Sequence, residues 1–149
     1  EKENLGTAGS ISLIKENFED PIIVMNADVL TKIDFEKLLN FHTQNESDAT
    51  MVVNHNEFQI PYGVIDLTNN NQIISISEKP LKKYYVNAGI YILSPKILHL
   101  LPKEKYLDMP NFFNLLLEKK YKINAYVLKE FWLDVGNLNE FQKAQRDWQ

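Results

Sequence analysis

The 149-residue chain contains no cysteine, which excludes disulfide staples, thiolate metal sites and a cysteine nucleophile, and is compatible with a reducing cytoplasm. It also lacks a basic excess. Sixteen Lys plus Arg stand against twenty Asp plus Glu, for a net charge of -4. The basic residues are scattered, so the sequence offers no footprint for nucleic acid or an anionic membrane. No apolar run approaches membrane-spanning length, and no signal-peptide pattern, repeat, low-complexity tract or internal linker interrupts the chain. What is present is an apolar fraction of 44% with 11% aromatics, in a length that suits one domain with a real core. A small molecule is the expected partner.

Periodicity predicts an open α/β sheet. Residues 21–26 form a continuous apolar run opened by Pro21, the pattern of a central parallel strand buried on both faces. Residues 34–45 carry Phe35, Leu38, Leu39 and Phe41 on a mostly single face with Asp34 as N-cap, an amphipathic helix. Residues 49–53 read as the next strand, completing a strand-helix-strand unit with a right-handed crossover. Residues 62–67 and 73–77 flank a polar turn and predict a hairpin-like excursion. Further strands are expected at 85–93, 123–128 and 131–135. A short helix begins at Ser94-Pro95 with the serine as cap, a second spans 111–121, and a closing helix spans 138–148.

Asp28 follows the apolar run at Asn26-Ala27-Asp28, and ligands of open α/β sheets gather at the carboxyl ends of the strands. A carboxylate there can hold Mg²⁺, or it can cap a turn. Leu5-Gly6-Thr7-Ala8-Gly9-Ser10 is a small-residue loop before a helical pattern at Ile11, Leu13, Ile14 and Phe18. Its glycines permit close approach, and its amides and the helix N-terminus suit an anionic or hydrogen-bonding ligand. Thr7 alternatively serves as a helix N-cap. In Glu78-Lys79-Pro80 the proline is expected to hold Lys79 extended, aiming its ammonium at a phosphate. Gly89, within Asn87-Ala88-Gly89-Ile90-Tyr91, lets another group approach closely or marks a bulge. Trp132-Leu133-Asp134-Val135-Gly136 supplies, among large apolar residues, a second carboxylate that can share a metal or cap the helix expected near Leu138, a task for which Asn137 is better placed.

Taken in order, Leu-Gly-Thr-Ala-Gly, Asn-Ala-Asp, Tyr-Gly-Val-Ile, Glu-Lys-Pro, Asn-Ala-Gly-Ile-Tyr and Trp-Leu-Asp-Val-Gly resemble the sugar-phosphate nucleotidyltransferase family, the nucleotide-sugar pyrophosphorylases, from Leu5 to about Gln145. The resemblance implies one nucleotide-diphospho-sugar transferase-like domain over 1–149, with an open, mixed, mostly parallel Rossmann-like sheet flanked by helices. It implies that Leu5, Gly6 and Thr7 lie against the base. Asp28 and Asp134 would bind Mg²⁺ on the triphosphate, and Gly63, Glu78 and Asn87 would contact the sugar. Lys79 would hold the phosphate of the sugar 1-phosphate, which attacks the α-phosphorus in line and expels pyrophosphate. The Gly-Thr-Ala-Gly variant resembles guanylyltransferases acting on mannose, heptose or N-acetylhexosamine 1-phosphates, implying GTP.

The chain departs from the family in lacking its first strand, the glycine-rich G-G-x-G-T-R-L loop and a later P-K pair. We therefore expect a fragment without the N-terminal βα unit, inactive alone, with an exposed sheet edge that favours a homodimer. A cytoplasmic enzyme is expected. The rivals are a non-catalytic nucleotide-sugar-binding regulatory module and a phosphocholine cytidylyltransferase-like enzyme.

Overall fold

The computed structural model describes residues 3–136; the helix expected at 138–148 lies outside the described residues. Four strands form the main sheet: β1 (Ile22–Met25), β3 (Ala49–Gln59), β6 (Leu81–Leu93) and β7 (Ile123–Val127), in the order β1-β6-β3-β7. β7 lies parallel to β3, and β6 runs antiparallel to both β1 and β3. β1, β3 and β7 therefore share one direction, and the fold is α/β with a mixed sheet, as expected.

Period-two alternation divides the core between the two faces of this sheet. Tyr91 and Leu93 of β6 and Ala49 of β3 pack with Phe112, Phe113 and Leu116 of α4 (Met109–Glu118). On the other face Ile90 and Ile92 of β6 and Val52 of β3 pack with Leu38 of α2 (Phe35–Gln44). Helices thus cover both sides. Asp34 caps α2 as expected, its side chain accepting from the Lys37 amide at 3.1 Å. The predicted hairpin is present as β4 (Val64–Leu67) and β5 (Ile73–Ser77), and its turn is closed by Thr68 N–H to Gln72 O at 2.9 Å.

Several local expectations are corrected. Among the described residues β1 is an outer strand whose partner, β6, runs antiparallel to it. It is not a central strand covered on both faces, since Ile23 and Met25 remain 41% and 45% exposed. Ile11, Ile14 and Phe18 line an apolar groove along it. An unbroken apolar run cannot tell a doubly covered strand from an edge strand with one open face. The helical pattern after the small-residue loop yields only α1 (Gly6–Gly9) and a 3-10 turn (Ser10–Leu13), with Ile14 already extended. Such a short helix has no appreciable dipole to offer a ligand. Ser94 precedes α3 (Pro95–Leu98) but makes no capping bond.

The Ser94 hydroxyl instead belongs to a buried polar cluster at the end of the sheet where β1, β3 and β7 begin. Ser94 Oγ donates to Ser47 O at 2.9 Å, so it can only accept from His42 Nε2, 3.0 Å away. The proton of the neutral imidazole therefore sits on Nε2, and Nδ1 accepts from Thr50 Oγ1 at 2.8 Å. Burial pushes the His42 pKa down against the smaller opposing pull of Asp48. Burial alone would raise the Asp48 carboxyl; its ion pair with Lys96 and the Lys122 amide hold it below the ordinary carboxylate value.

Candidate functional site

Two three-residue strands build the carboxylate site. β2 (Val29–Thr31) pairs antiparallel with β8 (Trp132–Asp134), with Val29 opposite Asp134, and the ladder is extended by Val135 N–H to Asp28 O at 2.8 Å. Backbone pairing alone therefore makes Asp28 and Asp134 neighbours, although the chain separates them by most of its length. Asp28 also lines an open cleft of about 410 Å³ together with Thr7, Asn26 and Ala27. The fold thus brings the small-residue loop to the same place as the first carboxylate.

Among the described residues no group of three or more His, Cys, Asp or Glu side chains could hold a metal. A pair of carboxylates without nitrogen or sulfur donors fits a hard cation such as Mg²⁺. That ion commonly takes one or two carboxylates and completes its shell with water and substrate phosphate.

The loop itself is used differently from the sequence-based expectation. Its close approach is to the protein's own chain. A Cβ on Gly6, where φ is +74°, would stand 2.7 Å from Leu107 O, and one on Gly9 would stand 2.4 Å from Lys105 O. The amides of Ala8 and Gly9 both donate to Leu107 O at 2.9 Å, and Gly6 N–H donates to Asn4 Oδ1 at 2.9 Å. Those three donors are therefore engaged within the protein. Leu5 is 8% exposed and its carbonyl accepts from Leu107 N–H. Thr7 does act as a cap, but for a helix 102 residues away: its Oγ1 accepts from Met109 N–H at 2.8 Å. Asp108, at the N-cap position of α4, makes no side-chain cap bond. With that lone pair occupied, the Thr7 hydroxyl proton remains for a group in the cleft.

The second hub is a bulge in β6. Met51 pairs with Tyr91 and Val53 with Asn87, so Ala88, Gly89 and Ile90 stand opposite Val52 alone. Gly89 takes φ +71°, which an L side chain rarely adopts. A Cβ there would lie 2.9 Å from Asn26 Nδ2 and 3.0 Å from Val29 Cγ2. The approaching group that Gly89 admits is thus Asn26, whose N–H also donates to Gly89 O at 2.9 Å. Beside it, Asn87 is preset: Oδ1 accepts from Gly89 N–H at 2.9 Å and Nδ2 donates to Tyr91 Oη at 2.7 Å. One amide hydrogen of Asn87 is left for a ligand hydroxyl.

Gly63, Glu78 and Lys79 form a separate group. Glu78 Oε2 is 3.1 Å from where a Gly63 Cβ would be. The turn carrying both charged residues is stitched to the end of β3 by Ile60 N–H to Pro80 O and by Gln59 Nε2 to Lys79 O. Lys79 is not extended as expected but has φ +44°. Proline disfavours the right-handed α region for the residue before it, and this tight turn takes up the left-handed alternative. From Asn87 to Leu81, where this turn enters β6, the ribbon runs on the order of 20 Å at ordinary strand rise. The structure therefore gathers Thr7, Asn26, Asp28, Asp134 and Asn87 around the bulge and keeps Gly63, Glu78 and Lys79 at the far end of the ribbon.

Asn26 and Trp132 enter the site through contacts that their sequence neighbours do not announce. Trp132 Nε1 donates to Ala88 O at 2.8 Å. The available signal was an indole N–H beside an acidic residue in a strand, which needs a partner once partly buried.

Known proteins match along the whole chain. The family model described as "Nucleotidyl transferase" matches residues 1–149. Among curated relatives, mannose-1-phosphate guanyltransferase of Pichia angusta is 35% identical over 95% of this chain and 40% of its own length. Probable mannose-1-phosphate guanylyltransferase 3 of Arabidopsis thaliana is 32% identical over 98% of this chain and 46% of its own. The crystal structure of HddC from Yersinia pseudotuberculosis superposes with a TM-score of 0.67 at 26% identity, covering 100% of this chain and 65% of that one. Another structure of HddC is complexed with GMP-PN. This chain therefore spans less than half the length of those two curated relatives, and it belongs to the nucleotidyl transferase family.

Proposed function

We propose that this chain is part of an enzyme that transfers a guanylyl group from GTP to a sugar 1-phosphate, giving a GDP-sugar and pyrophosphate, in the cytoplasm. The observation that carries the reading is the β2–β8 ladder, which sets Asp28 beside Asp134 at the rim of the cleft that Thr7 also lines. Bound there, Mg²⁺ would neutralise triphosphate charge as the sugar phosphate oxygen attacks. The remaining roles fall to backbone and side-chain groups. Leu5, Gly6 and Thr7 face the base, with the Thr7 hydroxyl as donor. Asn87 presents its remaining amide hydrogen to a sugar hydroxyl. Gly63, Glu78 and Lys79, at the far end of the ribbon, take up the same sugar and its phosphate only if the ribbon bends toward the cleft.

The guanine preference draws support from the two guanylyltransferase relatives and from the HddC complex with GMP-PN. The test is a pyrophosphate-release assay on the intact gene product across GTP, UTP, dTTP and CTP with a panel of sugar 1-phosphates and phosphocholine. GTP with a hexose or heptose 1-phosphate is expected to lead. Asp28→Ala or Asp134→Ala should lower turnover on the order of a hundredfold or more, the usual loss for a preorganised charge stabiliser. A pyrimidine triphosphate used equally well would overturn the base assignment, and near-normal turnover of both variants would overturn the metal site.

A further inference from the structure

The ribbon that begins just after Asp28 and carries Asp134 belongs to no larger sheet among the described residues, where β2 and β8 pair only with each other. Its placement relative to the rest of the molecule must therefore be set by other ties. Three converge on the β6 bulge. Asn26, at the entrance to β2, binds Gly89 O; Val29 packs against Gly89; and Trp132 Nε1 donates to Ala88 O at 2.8 Å. The last comes from β8.

Residues two apart on a strand face the same side, and partners across an antiparallel ladder share a face. Trp132 and Asp134 therefore project from one side of β8, and Val29, opposite Asp134, projects from the same side of the ribbon. That side is turned to the bulge, where Ala88 lies between Asn87 and Gly89. The indole ring is half-buried against the cluster of Ile33, Leu38, Val52, Ala88 and Ile90. Packing thus holds the ring, and the N–H fixes which point of β6 it meets.

We propose that Trp132 is a positioning residue that registers the Asp134 strand on the Asn87-Ala88-Gly89 bulge, so that cation binding at Asp28 and Asp134 is coupled to the sugar-facing amide of Asn87. This rests on reading the two carboxylates as metal ligands. Trp132→Phe keeps an aromatic ring and removes the N–H. It leaves the Ala88 carbonyl without this donor, and β8 loses this directed bond to the bulge.

The experiment titrates Mn²⁺, followed by electron paramagnetic resonance, into the intact protein, its Trp132→Phe variant and an Asp28→Asn control. The wild type is expected to bind, the control to lose binding, and Trp132→Phe to bind about tenfold more weakly, the scale of one lost partly buried hydrogen bond. In the wild type, the Trp132 indole N–H resonance, assigned by its absence from the variant or by selective labelling, is expected to shift on adding Mg²⁺. The same addition should tighten sugar 1-phosphate binding in the wild type and do so less in Trp132→Phe. If Asp28→Asn binds Mn²⁺ like the wild type, or the wild type binds none, the metal reading fails and the proposal with it. If the metal site holds but Trp132→Phe matches the wild type, the positioning role alone is overturned. Should the variant not fold, an indole resonance indifferent to Mg²⁺ in the wild type overturns that role by itself.

Discussion

Gly9→Ala places one methyl group where the backbone of residues 105–107 already lies. Two effects oppose each other. Gly9 has φ -62° and ψ -34°, ordinary helical values, so alanine gains about 1 kcal/mol of local propensity over glycine there. Against this, the new Cβ would stand 2.4 Å from Lys105 O and 3.2 Å from Leu107 N, where ordinary contact begins at 3.4 Å. The obstacle is backbone, which cannot swing aside like a side chain. If the 105–107 segment retreats, it carries away Leu107 O, the shared acceptor for Ala8 and Gly9, and Leu107 N–H, the donor to Leu5 O. Overpacking costs about 1–3 kcal/mol and each weakened bond about 1 kcal/mol. With three bonds weakened and the propensity gain subtracted, a net loss of about 3–5 kcal/mol remains. At about 2–4 °C per kcal/mol this lowers the melting temperature by roughly 6–20 °C.

Urea unfolding of Gly9→Ala should show a lower midpoint at unchanged slope. Gly63→Ala is the control, because the neighbour its Cβ would meet is the end of the Glu78 side chain at 3.1 Å; it should stay within about 0.5 kcal/mol of the parent. A Gly9→Ala protein as stable as the parent, with weakened nucleotide affinity, would refute the reasoning and return the loop's glycines to the ligand.

Gly89→Ala should destabilise by about 2–4 kcal/mol in the same assay, combining a disfavoured positive φ with displacement of Asn26 and Val29; no change would mean the bulge is not built this way. His42 predicts a pH dependence. Its folded pKa lies below the ordinary 6.5 because burial disfavours the charged ring, so below that pH the unfolded chain binds the proton more readily than the folded one. Its contribution is therefore complete above pH 6.5 and is lost as pH falls toward the folded pKa. Unfolding free energies between pH 8 and 5 should fall for the wild type and flatten for His42→Gln, and equal slopes would contradict the reading of His42 as a buried neutral ring.

Much of this fold was legible because its signals are local. Asp34 sits at the start of an amphipathic helix, Thr68 and Gln72 bracket a polar turn, and each is recognised from its immediate neighbours. What could not be read depends on residues far apart. Nothing near residue 22 announces that Ile22 will pair with Leu93, so the outer position of β1 was invisible in its own apolar run. His42 interrupts an apolar face, and only the positions of Thr50 and Ser94 make it a core residue. Thr7 was readable as a cap but not as the cap of a helix beginning at Met109.

The glycines show why residue types nominate a site better than they arrange it. A missing side chain signals that something comes close, without saying what. At Gly6 and Gly9 the visitors are the backbone of Lys105 and Leu107 with the Asp108 carboxylate, and at Gly89 they are Asn26 and Val29. In each case the close approach is internal, yet it still serves the site. Seating 105–108 on the loop sets Leu107 O over the Ala8 and Gly9 amides and brings Met109 N–H to Thr7, which lines the cleft. Seating Asn26 on Gly89 anchors the strand pair that carries Asp28 and Asp134. The chemistry of the candidate site is written in its carboxylates, but its geometry is held by positions where a side chain is absent. Substitutions at Gly6, Gly9 and Gly89 should therefore disturb the site as effectively as substitutions of the groups that line it.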